Sequence, residues 1–264
     1  MISVSIVTFN SGAVIGRCLD SLAASIDGDQ AIDLTVVDNG SSDNTLSVVK
    51  AFSERSPKGL RLTLTLAPEN VGYGRAHNLA FEAVTTKYHV ICNPDIIFRG
   101  NTLRILQDYL DQHEDIGLLC PAVLNEDLTP QHLNKRLPTV FDLFLRRFLP
   151  KVATPLFRRR LDRYEMRDIV YDKIVDVPFV SGAFLFCRSA ALRRVGGFDP
   201  RYFLYFEDVD LSRSVQGAGF RTVCLPNASV VHLWARAHHK NQRMALAFVQ
   251  NGVRYFNKWG WDLW

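Results

Sequence analysis

The chain has 264 residues, 47% hydrophobic and 22% charged, enough to bury a full core as one large domain or two intimate halves, which excludes wholesale disorder. Its formal net charge of +4 is mild and no recognition motif accompanies it, which argues against a nucleic-acid partner. Five cysteines (Cys18, Cys92, Cys120, Cys187 and Cys224) lie far apart with no C-x-x-C pair, which speaks against a disulfide framework or a zinc site and for buried thiols in a reducing, cytoplasmic compartment.

The N-terminus enters an apolar strand at once, without the basic n-region and cleavage site of a signal peptide. Val4–Thr8 is that strand, and Asn10-Ser11-Gly12 is a turn signal and helix N-cap before a helix over Val14–Ala24. Strand Leu34–Val37 ends at Asp38-Asn39-Gly40-Ser41-Ser42-Asp43. A helix near Thr45–Phe52 and a strand at Leu60–Leu66 follow. Asn70–Asn78 is a Gly-rich turn into a helix through Val84, and Tyr88–Cys92 is a strand ending at Asn93-Pro94-Asp95. Such alternation predicts a mostly parallel, Rossmann-like sheet flanked by helices, with ligands beyond the carboxyl ends of the strands. Thr8, Asn10, Asp38 and Asp95 all fall at such ends.

Farther on, Leu103–His113 reads as helix and Ile116–Val123 as strand. Residues 133–167 form a basic, Pro-punctuated insertion, and Val175–Cys187 reads as a strand pair around Ser181-Gly182. Ser189–Val195 and Glu207–Ala218 are helices, closed by Gly196-Gly197 and Gly219. Arg221–Leu225 and Ser229–Val231 are strands, Met244–Phe256 is an amphipathic helix, and no run is apolar enough to span a bilayer. The expected division is a domain over 1–232, its half 1–100 binding a nucleotide and its half 101–232 an acceptor, with a helical tail at 233–264.

Tyr205-Phe206-Glu207-Asp208-Val209-Asp210-Leu211 packs three carboxylates between aromatic and apolar neighbours. Near neutral pH that costly arrangement suits proton abstraction or cation binding, although a helix N-terminus would account for one or two of the three. Asp210 more plausibly caps or pairs within its helix. Asp38, at a strand tip before a tight polar turn, can accept from a pyrimidine N–H or a ribose hydroxyl. The glycines of Asn70–Asn78 with Arg75 at a helix start suit a phosphate. Asn93 and Asp95 offer oxygens for a hard divalent ion. His232, at the end of a buried strand, can complete its shell, while His238 and His239 are weaker candidates. Each signal alone is also a common turn or structural residue; together they fit group transfer from a nucleoside diphosphate.

These segments, in this order, resemble family 2 glycosyltransferases, and in particular bacterial rhamnosyltransferases of O-antigen and related polysaccharide assembly. The likeness covers residues 2 to about 232. It implies a GT-A fold, a divalent cation (Mg²⁺ or Mn²⁺) and inversion at the anomeric carbon. By that resemblance Asp38 contacts the nucleobase, Thr8 and Asn10 line its pocket, and Phe9, Asn39, Gly72, Arg75, Asn78 and Asn93 complete the nucleotide-sugar site. Asp95, with His232, would bind the metal, Asn93-Pro94-Asp95 replacing the commoner Asp-x-Asp. Asp208 would be the catalytic base, with Glu207 contacting the acceptor or tuning its partner. The donor implied is dTDP-L-rhamnose and the acceptor a polyprenyl-diphosphate-linked saccharide. A UDP-sugar donor, or a catalytically silent nucleotide-sugar-binding subunit, is the alternative.

The insertion carries ten Lys or Arg from Lys135 to Arg167, interleaved with Phe and Leu. That pattern suits the anionic cytoplasmic face of the inner membrane better than a solvated cover over the acceptor cleft. The aromatic tail Trp259–Trp264 would pack on the body or touch the same interface.

Overall fold

The computed structural model describes residues 1–150, 154–169, 173–234 and 242–264. The helices are α1 (Ile15–Ala24), α2 (Thr45–Ser53), α3 (Tyr73–Phe81), α4 (Thr102–Gln112), α5 (Val140–Phe148), α6 (Thr154–Tyr164), α7 (Ser189–Val195), α8 (Glu207–Gly217) and α9 (Gln242–Trp259). The strands are β1 (Ile2–Thr8), β2 (Ile32–Asp38), β3 (Leu60–Leu66), β4 (Tyr88–Cys92), β5 (Ile96–Phe98), β6 (Ile116–Leu124), β7 (Val175–Asp176), β8 (Phe184–Arg188) and β9 (Arg221–His232). They form one sheet in the order β3-β2-β1-β4-β8-β6-β9-β5, with β7 added on β9. The β3-β2-β1-β4 run is parallel, whereas β8 lies antiparallel to both β4 and β6. Every residue of β1, β4 and β8 is buried, as expected for strands covered on both faces.

Three elements differ from expectation. The Ser181-Gly182 region is no hairpin: β7 pairs with β9, and β8 with β4 and β6. The Gly182 backbone is taken by side chains, its carbonyl accepting from the Tyr73 hydroxyl and its N–H donating to Asp208. The two late strands are one, β9, whose register against β6 skips from Leu225 to Ser229. Pro226 has no N–H for the ladder, so the chain bulges there and resumes. Strand β5, not expected, follows Asp95 at once and pairs Ile96 with His232.

The tail and the insertion hold one another. The N–H groups of Val140 and Phe141, unsatisfied by their own helix, donate to the Asp262 and Leu263 carbonyls at 2.9 and 3.2 Å. Thr139 and Asp142 add a capping box to the same helix start. Asp210 does not pair within α8. It reaches α9, accepting from Lys258 Nζ at 2.8 Å and Trp259 Nε1 at 2.7 Å.

A polar chain is buried beside β1 and β4. Ser5 Oγ lies 2.8 Å from His77 Nδ1 and 3.0 Å from His89 Nε2, and Ser3 Oγ lies 2.8 Å from His89 Nδ1. Burial lowers both imidazoles, His89 to about 3. Unfolding releases imidazoles that bind protons near pH 6.5, so stability present above that pH is lost as pH falls towards about 3, at up to about 1.4 kcal/mol per pH unit for His89. Denaturant midpoints should therefore drop between about pH 7 and about pH 5, and His89→Gln should flatten the slope. An unchanged slope in that variant would contradict the assignment.

Candidate active site

Two hollows flank the segment that joins α7 to α8. The first is a cleft of about 590 Å³ beyond the carboxyl ends of β1, β2 and β4. Phe9, Asn10, Asn39, Gly72, Asn93 and Asp95 all contribute to its wall. Several of their polar groups, however, hold turns. Asn10, at φ +52°, accepts from the Ser42 and Asp43 N–H groups at 2.8 and 3.3 Å. Asn39 accepts from the Val71 N–H and donates to Asn70 Oδ1 and the Gly72 carbonyl, tying the Gly-rich turn to the tip of β2.

Thr8 and Asp38 lie opposite each other in register, buried just beneath the cleft wall. Thr8 Oγ1 donates to Asp38 Oδ1 at 3.0 Å, and the Ser41 N–H donates to Oδ2 at 3.0 Å. Arg75 and Asn78 point elsewhere. Arg75 is exposed and donates to the Pro200 carbonyl. Asn78 clamps Phe198, donating to its carbonyl at 2.7 Å and accepting from its N–H at 2.9 Å. A helix brings only part of its first turn to a strand-end cleft; these two side chains leave on its far side.

Asp95 and His232 are brought together by the pairing of β5 with β9, with Oδ1 and Nε2 3.3 Å apart. Gln131 sets the imidazole: its Nε2 donates to the His232 carbonyl at 2.8 Å, so its Oε1 faces Nδ1 at 2.9 Å and Nδ1 carries the proton. Nε2 is then the nitrogen available beside the carboxylate. A nitrogen and an oxygen donor so placed, with the imidazole oriented from behind, fit two positions of a divalent cation shell, the remainder falling to phosphate and water. Among the described residues no third His, Cys, Asp or Glu converges on them. His238 and His239 lie outside the described residues.

The second hollow, of about 350 Å³, is lined by Lys135, Arg146, Arg147, Phe179, Glu207 and Asp208 among others. Asp208 Oδ2 accepts from the Gly182 N–H at 3.1 Å and Oδ1 from the Val209 N–H at 2.9 Å. Burial raises the Asp208 carboxyl, opposed by the Gly182 N–H and the Lys135 charge. Burial, reinforced by the Asp208 charge, drives Glu207 well above the usual carboxylate range, and its Oε2 has no hydrogen-bond partner among the described residues. Glu207 is thus the more strongly raised of this pair, and Asp208, held by two N–H groups, is raised less. Tyr205 and Phe206, just before them, both adopt left-handed backbone (φ +69° and +70°), a costly conformation for aromatic residues. From α9, Asn251 Nδ2 holds that segment by the Leu204 carbonyl at 2.8 Å.

Tyr73 joins the two hollows. Its ring lines the first, and its hydroxyl donates at 2.6 Å to the Gly182 carbonyl, the same peptide segment whose N–H binds Asp208. Sequence reasoning did not single out Tyr73, Gln131 or Lys135. Tyr73 lay inside the flagged Gly-rich turn and Lys135 opens the basic insertion, whereas nothing around Gln131 marked it.

A nucleotide-sized cleft at parallel strand ends, a histidine–carboxylate pair and a buried carboxylate across a thin partition define the site. The family model of glycosyltransferase like family 2 matches residues 1–252. The chain belongs to this glycosyltransferase family. The transferase is 30% identical to the N-acetylglucosaminyl-diphospho-decaprenol L-rhamnosyltransferase of Mycobacterium tuberculosis (strain CDC 1551 / Oshkosh), over 93% of this chain and 84% of that protein. It is 27% identical to rhamnosyltransferase WbbL of Escherichia coli (strain K12), over 65% of this chain and 63% of that protein. In fold it is similar to the mannosyltransferase PcManGT of Pyrobaculum calidifontis in complex with GDP-Man and Mn²⁺, with TM-score 0.65, 20% identity, and coverage of 97% of this chain and 63% of that one. It is similar also to GalNAc-T7 with UDP, GalNAc and Mn²⁺, with TM-score 0.71, 14% identity, and coverage of 97% and 48%. The fold is that of the GT-A glycosyltransferases, a mixed α/β sheet of mostly parallel strands between helices.

Proposed function

We propose that the transferase moves L-rhamnose from dTDP-L-rhamnose, with inversion, to a hydroxyl of a polyprenyl-diphosphate-linked saccharide. The observation that carries the reading is Asp208: a carboxyl group, anchored by two N–H groups and raised by burial, one partition away from a nucleotide-sized cleft. The rhamnosyltransferase activities of the two relatives support rhamnose as the sugar. The nucleobase and ribose lie in the first cleft, with Phe9 on its rim and Asp38 beneath it. Asp95 and His232 would hold a Mg²⁺ or Mn²⁺ ion, with Asn93 alongside, and such an ion would supply positive charge against the departing diphosphate. In the second hollow Asp208 Oδ takes the proton of the acceptor hydroxyl, whose oxygen then attacks the anomeric carbon on the face opposite the diphosphate. Glu207 beside it tunes its hold on the proton. A catalytically silent subunit would have no use for two carboxyl groups, both raised by burial, lining such a hollow.

The helices α5 and α6 and the tail also favour peripheral binding to an anionic bilayer. Phe144, Phe148 and Trp264 are 53%, 58% and 75% exposed, beside Arg147 and near the arginines of α6. No described helix is long and apolar enough to cross a membrane.

Thermal unfolding with dTDP-, UDP- and GDP-sugars, each with and without Mn²⁺ or Mg²⁺, tests donor and metal together. The dTDP-L-rhamnose–metal combination should raise the midpoint most, and Asp95→Ala should remove the metal's share. Stabilisation by UDP-sugars alone would replace the donor, and stabilisation by none would overturn the reading.

A further inference from the structure

The basic insertion distributes its charge unevenly. Arg136, Arg160 and Arg167 are matched by Asp168, Asp142 and Glu165, at 2.8, 2.6 and 2.8 Å. Arg146 reaches only the edge of Glu165, at 3.6 Å. Neither Lys135 nor Arg147 forms an ion pair among the described residues, and both line the second hollow with Arg146. Lys135 is itself buried, its Nζ donating to the Leu133 carbonyl at 3.1 Å and sitting 5.2 Å from the centre of the Phe179 ring. Three basic side chains, of which Lys135 is buried, thus line one hollow with Glu207 and Asp208.

Burial, and after it the charge of Arg146, pull the Lys135 ammonium down to about 8. A group so placed is incomplete until an anion joins it, because a buried cation without a counter-charge costs several times what an exposed one does. An anion with more than one charge suits Lys135 and Arg147, neither ion-paired among the described residues, with Arg146 beside them. It must also leave room, within about 350 Å³, for a ring whose hydroxyl meets Asp208. Leu143, Phe206, Val209 and Phe248 add apolar lining to the same hollow.

We infer that Lys135, Arg146 and Arg147 form a subsite that binds the diphosphate of the acceptor. The inference rests on the reading of this hollow as the acceptor side. The acceptor's sugar hydroxyl meets Asp208 while its diphosphate meets the three basic side chains, all of which line the same hollow. Arginine forks and the lysine ammonium share the phosphoryl oxygens, and the lipid leaves past the exposed rings of α5.

Binding without donor isolates the subsite from the transfer reaction. Calorimetry on the full chain would compare a short-prenyl-diphosphate-linked N-acetylglucosamine with the same sugar on an uncharged alkyl aglycone. Wild type should prefer the diphosphate ligand by at least about tenfold, the worth of one good charged contact. Lys135→Met, which keeps the buried stem, and the surface variant Arg147→Gln should each lower that ratio, and together bring it near unity. Equal affinities in wild type, or a ratio untouched by both variants, would overturn the subsite. Titration with dTDP alone separates the other source of a diphosphate: if the two variants weaken dTDP as much as the lipid ligand, the cations serve the donor and the inference fails. Failure of dTDP-L-rhamnose to act as donor would leave this comparison intact and overturn only the donor assignment.

Discussion

Asp208→Asn should lower kcat by roughly a hundred- to ten-thousand-fold, the usual worth of a positioned base, while binding of the nucleotide donor stays within about twofold. Asparagine keeps the shape, and its carbonyl oxygen can still accept from the Gly182 N–H that holds Asp208 Oδ2 at 3.1 Å. What it loses is the capacity to take a proton. Burial is the chief cause raising Asp208, so the acid limb of the wild-type rate profile should lie above the ordinary carboxylate range. That limb should vanish in the variant's residual activity. Glu207→Gln should cost far less, because glutamine resembles the neutral acid that burial enforces. Steady-state kinetics across pH with both variants gives the answer, and near-normal turnover by Asp208→Asn would remove the base.

Gly72→Ala should destabilise the protein by about 3 kcal/mol, a fall of roughly 5–10 °C in Tm, and take most of the activity with it. Gly72 has φ +92°, open to glycine at little cost, and a Cβ there would sit 2.4 Å from the Phe203 carbonyl oxygen. That carbonyl accepts from the Tyr73 N–H at 3.0 Å, so the contact cannot be relieved without moving the partition between the two hollows. Tyr73, displaced, would loosen Gly182 and with it Asp208. Calorimetric unfolding and transfer assays on the same preparation check both parts. A variant as stable and active as wild type would show that the partition is not rigid.

The strand–helix alternation of the first hundred residues was legible because each strand is a short apolar run closed by a polar turn. β3 emerged at Leu60–Leu66 as expected, and β1, β2 and β4 ended where the turn residues placed them. Local signals failed where pairing partners are remote. The Ser181-Gly182 segment reads as the turn of a strand pair because it lies between two apolar runs, yet Tyr73 and Asp208, distant in sequence, consume its backbone groups. β5 is only three residues long, too short to carry a pattern, and exists because β9 offers it an edge.

The candidate site divides in the same way. Residue type and position at strand ends were enough to select Asp38, Asp95, Glu207 and Asp208, since a carboxylate beside apolar sequence costs stability unless something uses it. Sequence alone could not say that Arg75 and Asn78 leave the cleft to hold Pro200 and Phe198, because a helix start looks the same whichever way its side chains turn. Nor could it tell that Glu207 is raised more strongly than Asp208, or pair His232 with Gln131. Those outcomes depend on burial and on hydrogen-bond partners about a hundred residues away, which come within reach only when the sheet closes.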